Sequence, residues 1–155
     1  CHADSQVKGH YKQFDDVVDL YNEKFAKPIA ALMKELTEKG YITAAPFDDK
    51  IEWTWWEIWH DEGRRARHGA AMNGPDYTWW HGIYEVAQHT YFKLIPEMRE
   101  AVRKKDGNEQ AADELLAKYF KPIDGHDWYF NGISKEAIEK VRKGYEERYG
   151  KGSLK

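Results

Sequence analysis

The sequence predicts an all-α fold made of long, kinked helices. Three observations support this prediction. Apolar residues recur at intervals of three and four along extended stretches, which is the spacing of one face of a helix. Proline, glycine and asparagine residues, which break helices, are concentrated between those stretches. No stretch alternates apolar and polar residues as a half-buried strand does.

The first predicted helix covers residues 7–39. Pro28 lies within it and should kink or divide it, because proline lacks the N–H that bonds to the carbonyl four residues back. Gly40 should end it. Its apolar stripe consists of Tyr11, Phe14, Val17, Val18, Tyr21, Phe25, Ile29, Leu32, Met33 and Leu36.

A loop over residues 43–49 should separate the first helix from the second. Pro46 blocks helix formation there, and either Asp48 or Asp49 can serve as the N-cap of the second helix. That helix is expected over residues 50–72, with an apolar and aromatic side and arginines near its end.

The third long helix is expected over residues 77–105. An Asn-Gly-Pro turn at 73–75 stops the second helix, and Asp76 can cap the third. Pro96 should kink this helix, and Gly107 should close it.

The remainder of the chain predicts two shorter helices. One should cover residues 109–119, after which residues 121–132 contain several helix breakers and should be irregular. Ser134 can cap the final helix, which should end near Gly150.

Length and composition predict one helical region. The 155 residues, 41% of them hydrophobic, can bury one ordinary core. We therefore expect residues 1–155 to form a single region, with long helices over 1–107 and tail helices over 108–155.

Two classes of partner are disfavoured by charge and hydropathy. The net charge of −3 is spread as mixed signs, without the basic stripe that binding to nucleic acid requires. The mean hydropathy is −0.88, and no apolar run approaches the roughly 20 residues that a membrane-spanning helix needs. We expect neither nucleic acid as a partner nor a membrane span.

The aromatic content is high for a chain of this length, with seven Trp and ten Tyr. Large flat side chains need either a dense core or a flat partner to cover them. Two interpretations remain open from composition alone: an aromatic-rich helical core, or a set of surfaces against haem.

The chain begins with Cys1-His2, followed by no further cysteine. This pair matches the second half of a haem-attachment motif, Cys-x-x-Cys-His, cut before its second cysteine. Because no initiator Met or signal peptide precedes it, we expect a processed, cleaved or partly recorded chain. A chance Cys-His pair is the alternative.

Four histidines fall on the second and third predicted helices. His60 and His68 are eight residues apart, as are His81 and His89, so each pair lies about 80° apart around its helix. Neutral imidazole is a good iron ligand. Ordinary surface or core histidines are the alternative, whereas a zinc-protease motif, a cysteine pair and a catalytic triad pattern are absent from the sequence.

The segment around these histidines resembles a known family. Residues 59–82 read WHDEGRRARHGAAMNGPDYTWWHG, and residues 11–28 end in LYNEKFAKP. Both segments are similar to the C-terminal part of octahaem hydroxylamine oxidoreductases and the related hydrazine dehydrogenases. The resemblance covers most of the chain up to about Arg99, and the tail after Gly107 adds little to it.

The resemblance implies a catalytic role for Tyr77. In that family a tyrosine of one subunit is bonded covalently to the catalytic haem of its neighbour, and Tyr77 occupies the corresponding Gly-Pro-Asp-Tyr position. An ordinary aromatic at a helix start is the alternative. Arg64, Arg65 and Arg67 suit haem propionates, since guanidinium is planar and permanently charged; a solvated charge run is their alternative.

The resemblance also implies haem ligands. Cys1 would carry a c-type haem with His2 as its proximal ligand, and His60 and His81 would be distal ligands of other haems. His68 is a further haem-binding candidate. The attachment motifs for the family's other haems are missing here and would lie upstream, so the chain alone would be an incomplete enzyme.

The implied function is oxidation of hydroxylamine or hydrazine at the cross-linked haem. Several c-type haems would pass the electrons to a small cytochrome c. The implied assembly is a homotrimer containing the upstream haem-bearing part, located in the periplasm or an equivalent extracytoplasmic compartment such as the anammoxosome of an anammox bacterium.

Three other functions remain open. An octahaem reductase of nitrite or a similar oxyanion would share the helices but lack the tyrosine cross-link. A non-catalytic subunit would ligate relay haems and hold the oligomer together. A haem-free interaction module would bind no haem through Cys1.

Overall fold

The computed structural model describes residues 2–151, and every regular element in that range is helical. The prediction of an all-α fold is therefore confirmed. The chain divides into two compact units, Cys1–Phe120 and Lys121–Lys155. Within the described range, no helix is both long and apolar enough to cross a membrane.

Helix α1 begins in the first unit at Asp4. It comprises an α-helical part, Asp4–Tyr21, a π-helical turn, Asn22–Ala26, and a second α-helical part, Lys27–Glu38. Its C-terminal half carries the deepest part of the apolar stripe, including the fully buried Ile29, Leu32 and Leu36. Gly40 follows with a φ of 66°, which confirms that glycine ends this helix.

Helix α2 comprises Lys50–Trp56, a π-helical turn, Glu57–Glu62, and Gly63–Ala71. Its N-terminus is a capping box: the Asp49 side chain accepts from the backbone of Glu52, whose own side chain accepts from the Asp49 N–H. At its C-terminus Asn73 adopts a φ of 54°, and the Gly74 N–H bonds to the Gly69 carbonyl at 2.7 Å. The predicted turn at residues 73–75 is confirmed.

Helix α3 follows this turn directly and doubles back on α2. It comprises Asp76–Tyr84, which is π-helical, Glu85–His89, a second π-helical turn, Thr90–Leu94, and Ile95–Asp106. Asp76 is its first residue and not its N-cap, since Pro75 holds that position and makes no side-chain capping bond. The prediction that Asp76 caps α3 is therefore wrong.

Small residues form the contact between α2 and α3. A Cβ added to Gly82 would lie 2.7 Å from the Ala66 Cα, and one added to Gly69 would lie 2.7 Å from the Thr78 backbone nitrogen. Ala66 and Thr78 are themselves buried. The two backbones can approach this closely only because the glycines carry no side chain.

Of the four π-helical turns in residues 2–151, two accommodate prolines. Pro28 and Pro96 each stand two residues after such a turn, at the start of the α-helical part that comes next. In an α-helix, a proline cannot donate a hydrogen bond to the carbonyl four residues back, and its ring clashes with that carbonyl. A wider turn relieves this clash, so α1 and α3 continue through their prolines without a break.

Helix α4, Gln110–Tyr119, completes the first unit. It packs against the second half of α1 and the end of α3 through Leu115 and Leu116. The first unit extends to Phe120, because α4 buries its apolar side on the long helices.

An ion cluster ties α4 to α1. The Glu35 carboxylate accepts from Lys118 Nζ at 2.6 Å and from the Tyr119 hydroxyl, and Lys39 Nζ lies 3.1 Å away. These donors lower the pKa of Glu35 from 4.5 to about 2, and the hydrogen bond from Lys118 is the largest cause.

The second unit contains two helices within the described range. Helix α5, Asp127–Asn131, lies within the segment 121–132 for which the sequence predicts irregular structure, so that prediction is wrong for these five residues. Helix α6, Lys135–Tyr149, begins at Ser134, whose hydroxyl accepts from the Ala137 N–H at 3.1 Å. The prediction of a Ser134 cap is confirmed.

We predict that Gly82→Ala destabilises the first unit by about 1–3 kcal/mol, the usual cost of overpacking a close contact. The added Cβ would meet the Ala66 Cα and the Tyr77 carbonyl, at 2.5 Å, and both are atoms of packed helices. Denaturant unfolding followed by circular dichroism measures the change.

Gly9→Ala is the matched control, because Gly9 is an exposed position of α1 with nothing within 4 Å of its added Cβ. It should stabilise the helix by about 0.5–1 kcal/mol. Equal unfolding midpoints for the two variants would contradict the close contact of α2 with α3.

We further predict that Glu35 contributes to stability in a pH-dependent manner. The pKa of Glu35 is lower in the folded state, so its contribution is complete above about pH 4.5 and is lost as the pH falls towards 2. Glu35→Gln should therefore lower the melting temperature at pH 6 and flatten its decline between about pH 5 and pH 2. Glu38→Gln, at an exposed position of the same helix, should keep the parental slope.

Candidate functional site

A cleft opens beside the contact of α2 with α3. Its volume is about 350 Å³, and it is open to solvent. Two arginines and a histidine of α2 face a tyrosine of α3 across it, with small residues at its base. The lining residues are Arg64, Arg65, His68, Gly69, Met72, Gly74 and Tyr77.

Tyr77 stands at the second position of α3, where the turn has just reversed the chain. Its side chain is 57% exposed. Its ring centroid lies 5.8 Å from that of His81, and its hydroxyl has no hydrogen-bond partner among the described residues. The phenol oxygen is thus free to react with, or bind to, a group outside this chain.

The three arginines of α2 differ in their surroundings. Arg65 is held by Asp61 at 3.0 Å and by Glu85 at 3.3 Å. Arg67 lies 4.8 Å from the centre of the Tyr21 ring, in a cation–π contact. Arg64 is exposed and forms no ion pair within residues 2–151. Arg64 is therefore the cleft's available cation, whereas Arg65 and Arg67 are held by contacts within the chain.

His81 is oriented by carboxylates. Its Nδ1 lies 3.4 Å from Glu85 Oε1, and its Nε2 is 3.6 Å from Asp76 Oδ2, beyond hydrogen-bond distance. The side chain is half-exposed. A histidine that binds metal through one nitrogen usually directs the other to a carboxylate. The environment of His81 fits that arrangement, with Nε2 as the free atom.

His60 and His68 lie on α2 but in different surroundings. His60 is half-buried and stacks on Trp56, with ring centroids 4.3 Å apart. His68 is exposed in the cleft with Tyr77. Neither imidazole has a hydrogen bond to the rest of the described chain. The structure thus groups His68 and His81 around Tyr77 and leaves His60 outside the cleft.

His2, a candidate near the N-terminus, lies apart from this group. His2 is exposed, and its Nδ1 lies 3.2 Å from Gln6 Oε1. Cys1, the predicted haem attachment point, lies outside the described residues. His2 is not among the residues that line the Tyr77 cleft.

The aromatic surplus lies mainly at the surface. All seven tryptophans fall within residues 2–151, and none of them is buried. Trp79 and Trp80, next to Tyr77, are 50% and 59% exposed. An aromatic-rich core therefore does not account for the composition, which favours flat partners outside the chain.

The structure contains a second cluster, of two carboxylates and a histidine, that the sequence does not predict. Glu57, Glu62 and His89 bring one donor atom each to within 4.8 Å of one another. His89 Nδ1 is 2.8 Å from Glu62 Oε1 and 3.9 Å from Glu57 Oε2. The available signal in the sequence is Glu62, a carboxylate placed on the apolar side of the second helix.

The π-helical turn of α2 explains why this cluster forms. Residues five apart lie about 140° apart around an α-helix, so Glu57 and Glu62 would face different directions. The turn Glu57–Glu62 closes with a bond from the Gly63 N–H to the Ile58 carbonyl, five residues back. That wider winding brings the two carboxylates to the same side.

Comparisons with models of known protein families, with curated proteins and with solved structures give no match to this chain. Its function is accordingly inferred from the side chains that the fold brings together and from the resemblance of residues 59–82.

Proposed function

We propose that this chain is part of a multihaem oxidoreductase that oxidises hydroxylamine or hydrazine, and that Tyr77 bonds to the catalytic haem of a neighbouring subunit. One observation carries the proposal: the Tyr77 hydroxyl is exposed, lacks a partner in the described chain and projects from the first turn of α3. Such a side chain can reach beyond its own subunit.

The residues around Tyr77 fit a haem edge. Haem carries anionic propionates on a flat apolar ring, and the cleft combines the unpaired Arg64 with apolar Met72 and the nearby Trp79 and Trp80. His68 adds a polar donor at the same cleft. These features support the placement of a haem from another subunit against Tyr77.

The histidines fit the ligation of further haems. His81 offers Nε2 while Glu85 holds its Nδ1, and this carboxylate both orients the ring and strengthens the nitrogen as a donor. His60 offers an imidazole that has no hydrogen bond within residues 2–151 and is kept in place by stacking on Trp56. Cys1 would attach one haem, with His2 as its axial ligand.

Haem, when bound, supplies the one-electron chemistry, and the protein tunes it through axial ligands, burial and distortion of the ring. This chain's contribution is positional. Tyr77 would fix and distort the catalytic ring, Arg64 would neutralise a propionate, and the exposed tryptophans would cover haem faces and exclude water. His60 and His81 would hold relay haems.

The proposed assembly is a consequence of the intersubunit bond. A contact in which each subunit reaches to the next generates a ring when its rotation closes, and the resemblance implies a closed homotrimer. The upstream haem-bearing part of the protein would supply the remaining haems, and a small cytochrome c would accept the electrons. The proposed location is the periplasm or an equivalent extracytoplasmic compartment.

We predict that Tyr77→Phe abolishes oxidation of hydroxylamine and hydrazine in the assembled, haem-loaded protein. The substitution keeps the ring and removes the oxygen through which the bond would form. Steady-state oxidation assays and the absorption spectrum measure the effect, and the spectrum should lose the band of the cross-linked haem.

Tyr84→Phe is the control, since Tyr84 is an exposed tyrosine of the same helix that stacks on Trp80. It should leave both activity and spectrum unchanged. A Tyr77→Phe trimer with the parental rate and spectrum would refute the catalytic role, and a relay function for this chain would replace it.

We also predict that His60→Ala and His81→Ala each convert one low-spin haem to high spin, because each removes an axial imidazole. Electron paramagnetic resonance of the oxidised protein detects this change. His10→Ala is the control, as His10 lies against Asn73 at 3.1 Å and has no proposed haem. Unchanged spin states in both variants would remove these residues as ligands.

A further inference from the structure

We propose that Glu57, Glu62 and His89 form a binding site for one first-row divalent cation, with Zn²⁺ as the best-fitting ion. The site is distinct from the Tyr77 cleft, since none of its three residues lines that cleft. It is built from this chain alone and does not depend on the function proposed above.

The donor spacing suits a metal ion. A tetrahedral ion with bonds of about 2.1 Å separates its ligand atoms by about 3.4 Å. His89 Nδ1 lies 2.8 Å from Glu62 and 3.9 Å from Glu57, so the observed separations fall on either side of that value. Small side-chain rotations would place all three donors at bonding distance.

Two residues of this cluster carry buried polar atoms without a hydrogen-bond partner in the described chain. Glu62 is only 4% exposed, and its Oε2 has no hydrogen-bond partner in the described chain. His89 Nδ1 is also buried without one: despite the 2.8 Å separation from Glu62, the geometry is not that of a hydrogen bond. A buried carboxylate and imidazole left in this state are costly unless something binds them.

The charge balance supports a cation. Glu57 and Glu62 bring two carboxylates to the cluster, and that of Glu62 is buried. A divalent ion would compensate both carboxylates. The cation present at the cluster is Lys93, whose Nζ lies 3.0 Å from Glu57 Oε2, so Lys93 would compete with the metal for Glu57.

The ligand set selects the type of metal. Ca²⁺ takes six to eight oxygen ligands and Mg²⁺ keeps most of its water, whereas imidazole with carboxylates suits zinc and its neighbours. Glu57 is 41% and His89 18% exposed, so the site is open to solvent on one side. Water can therefore fill the fourth position.

Titration of the metal-free full chain with Zn²⁺ tests the proposal. A Cys1→Ser background removes the thiol as a competing ligand. We expect one Zn²⁺ per chain by isothermal calorimetry, and Co²⁺ should give visible bands of a four-coordinate site. Glu62→Gln and His89→Gln should each weaken Zn²⁺ binding at least about tenfold, because even indirect contacts to a metal contribute that much.

Three further variants test where the ion binds. Asp48→Asn alters the exposed acidic cluster of Asp48, Asp49 and Glu52 and should leave the affinity unchanged. Lys93→Met should tighten binding, since it removes the competing cation. Circular dichroism of each metal-free variant shows whether that variant folds. If Glu62→Gln does not fold, Glu57→Gln provides the second test, because Glu57 is the more exposed ligand.

The proposal is overturned if the chain binds no Zn²⁺, or if binding is unaffected by Glu57→Gln, Glu62→Gln and His89→Gln. Loss of binding in Asp48→Asn would place the ion at the exposed cluster instead. Since these measurements need no haem, the failure of this site would leave the Tyr77 experiments unaffected.

Discussion

The close approach of α2 and α3 is the constraint on which the rest of the first unit depends. Gly69 and Gly82 bring the two backbones together against Thr78 and Ala66, with no room for a further carbon atom. Because the connecting turn is short and internally bonded, the start of α3 must lie beside the end of α2. Tyr77 and Arg64 consequently share one cleft.

The π-helical turns determine where side chains on these helices point. Two of them relieve prolines, but the turns Glu57–Glu62 and Asp76–Tyr84 contain none. These two turns carry several of the candidate functional residues, with Glu57 and Glu62 on one and Tyr77 and His81 on the other. Wider turns of this kind are frequent at functional sites, since they change the direction of a side chain without ending its helix.

Features that depend on neighbouring residues are predictable from the sequence. Helix α2 ends at the Asn-Gly-Pro turn and α6 begins at Ser134, as expected, because capping is decided by the local backbone and one side chain. The short helix Asp127–Asn131 is not predicted, because the helix breakers Gly125 and Gly132 lie close to its two ends. Asp76 is not the cap that the sequence predicts, because Pro75 takes that position at the start of α3.

By itself, the sequence determined that the chain is helical and where its long helices end. Only the tertiary structure decided that Arg67 packs on Tyr21, that Arg64 remains unpaired within the described chain, and that His89 reaches Glu62. The physical reason is that the helical period assumes a constant turn of about 100° per residue. A π-helical turn changes the direction in which the side chains after it point. Which residues of another helix such a side chain contacts depends on how closely the two backbones can pack.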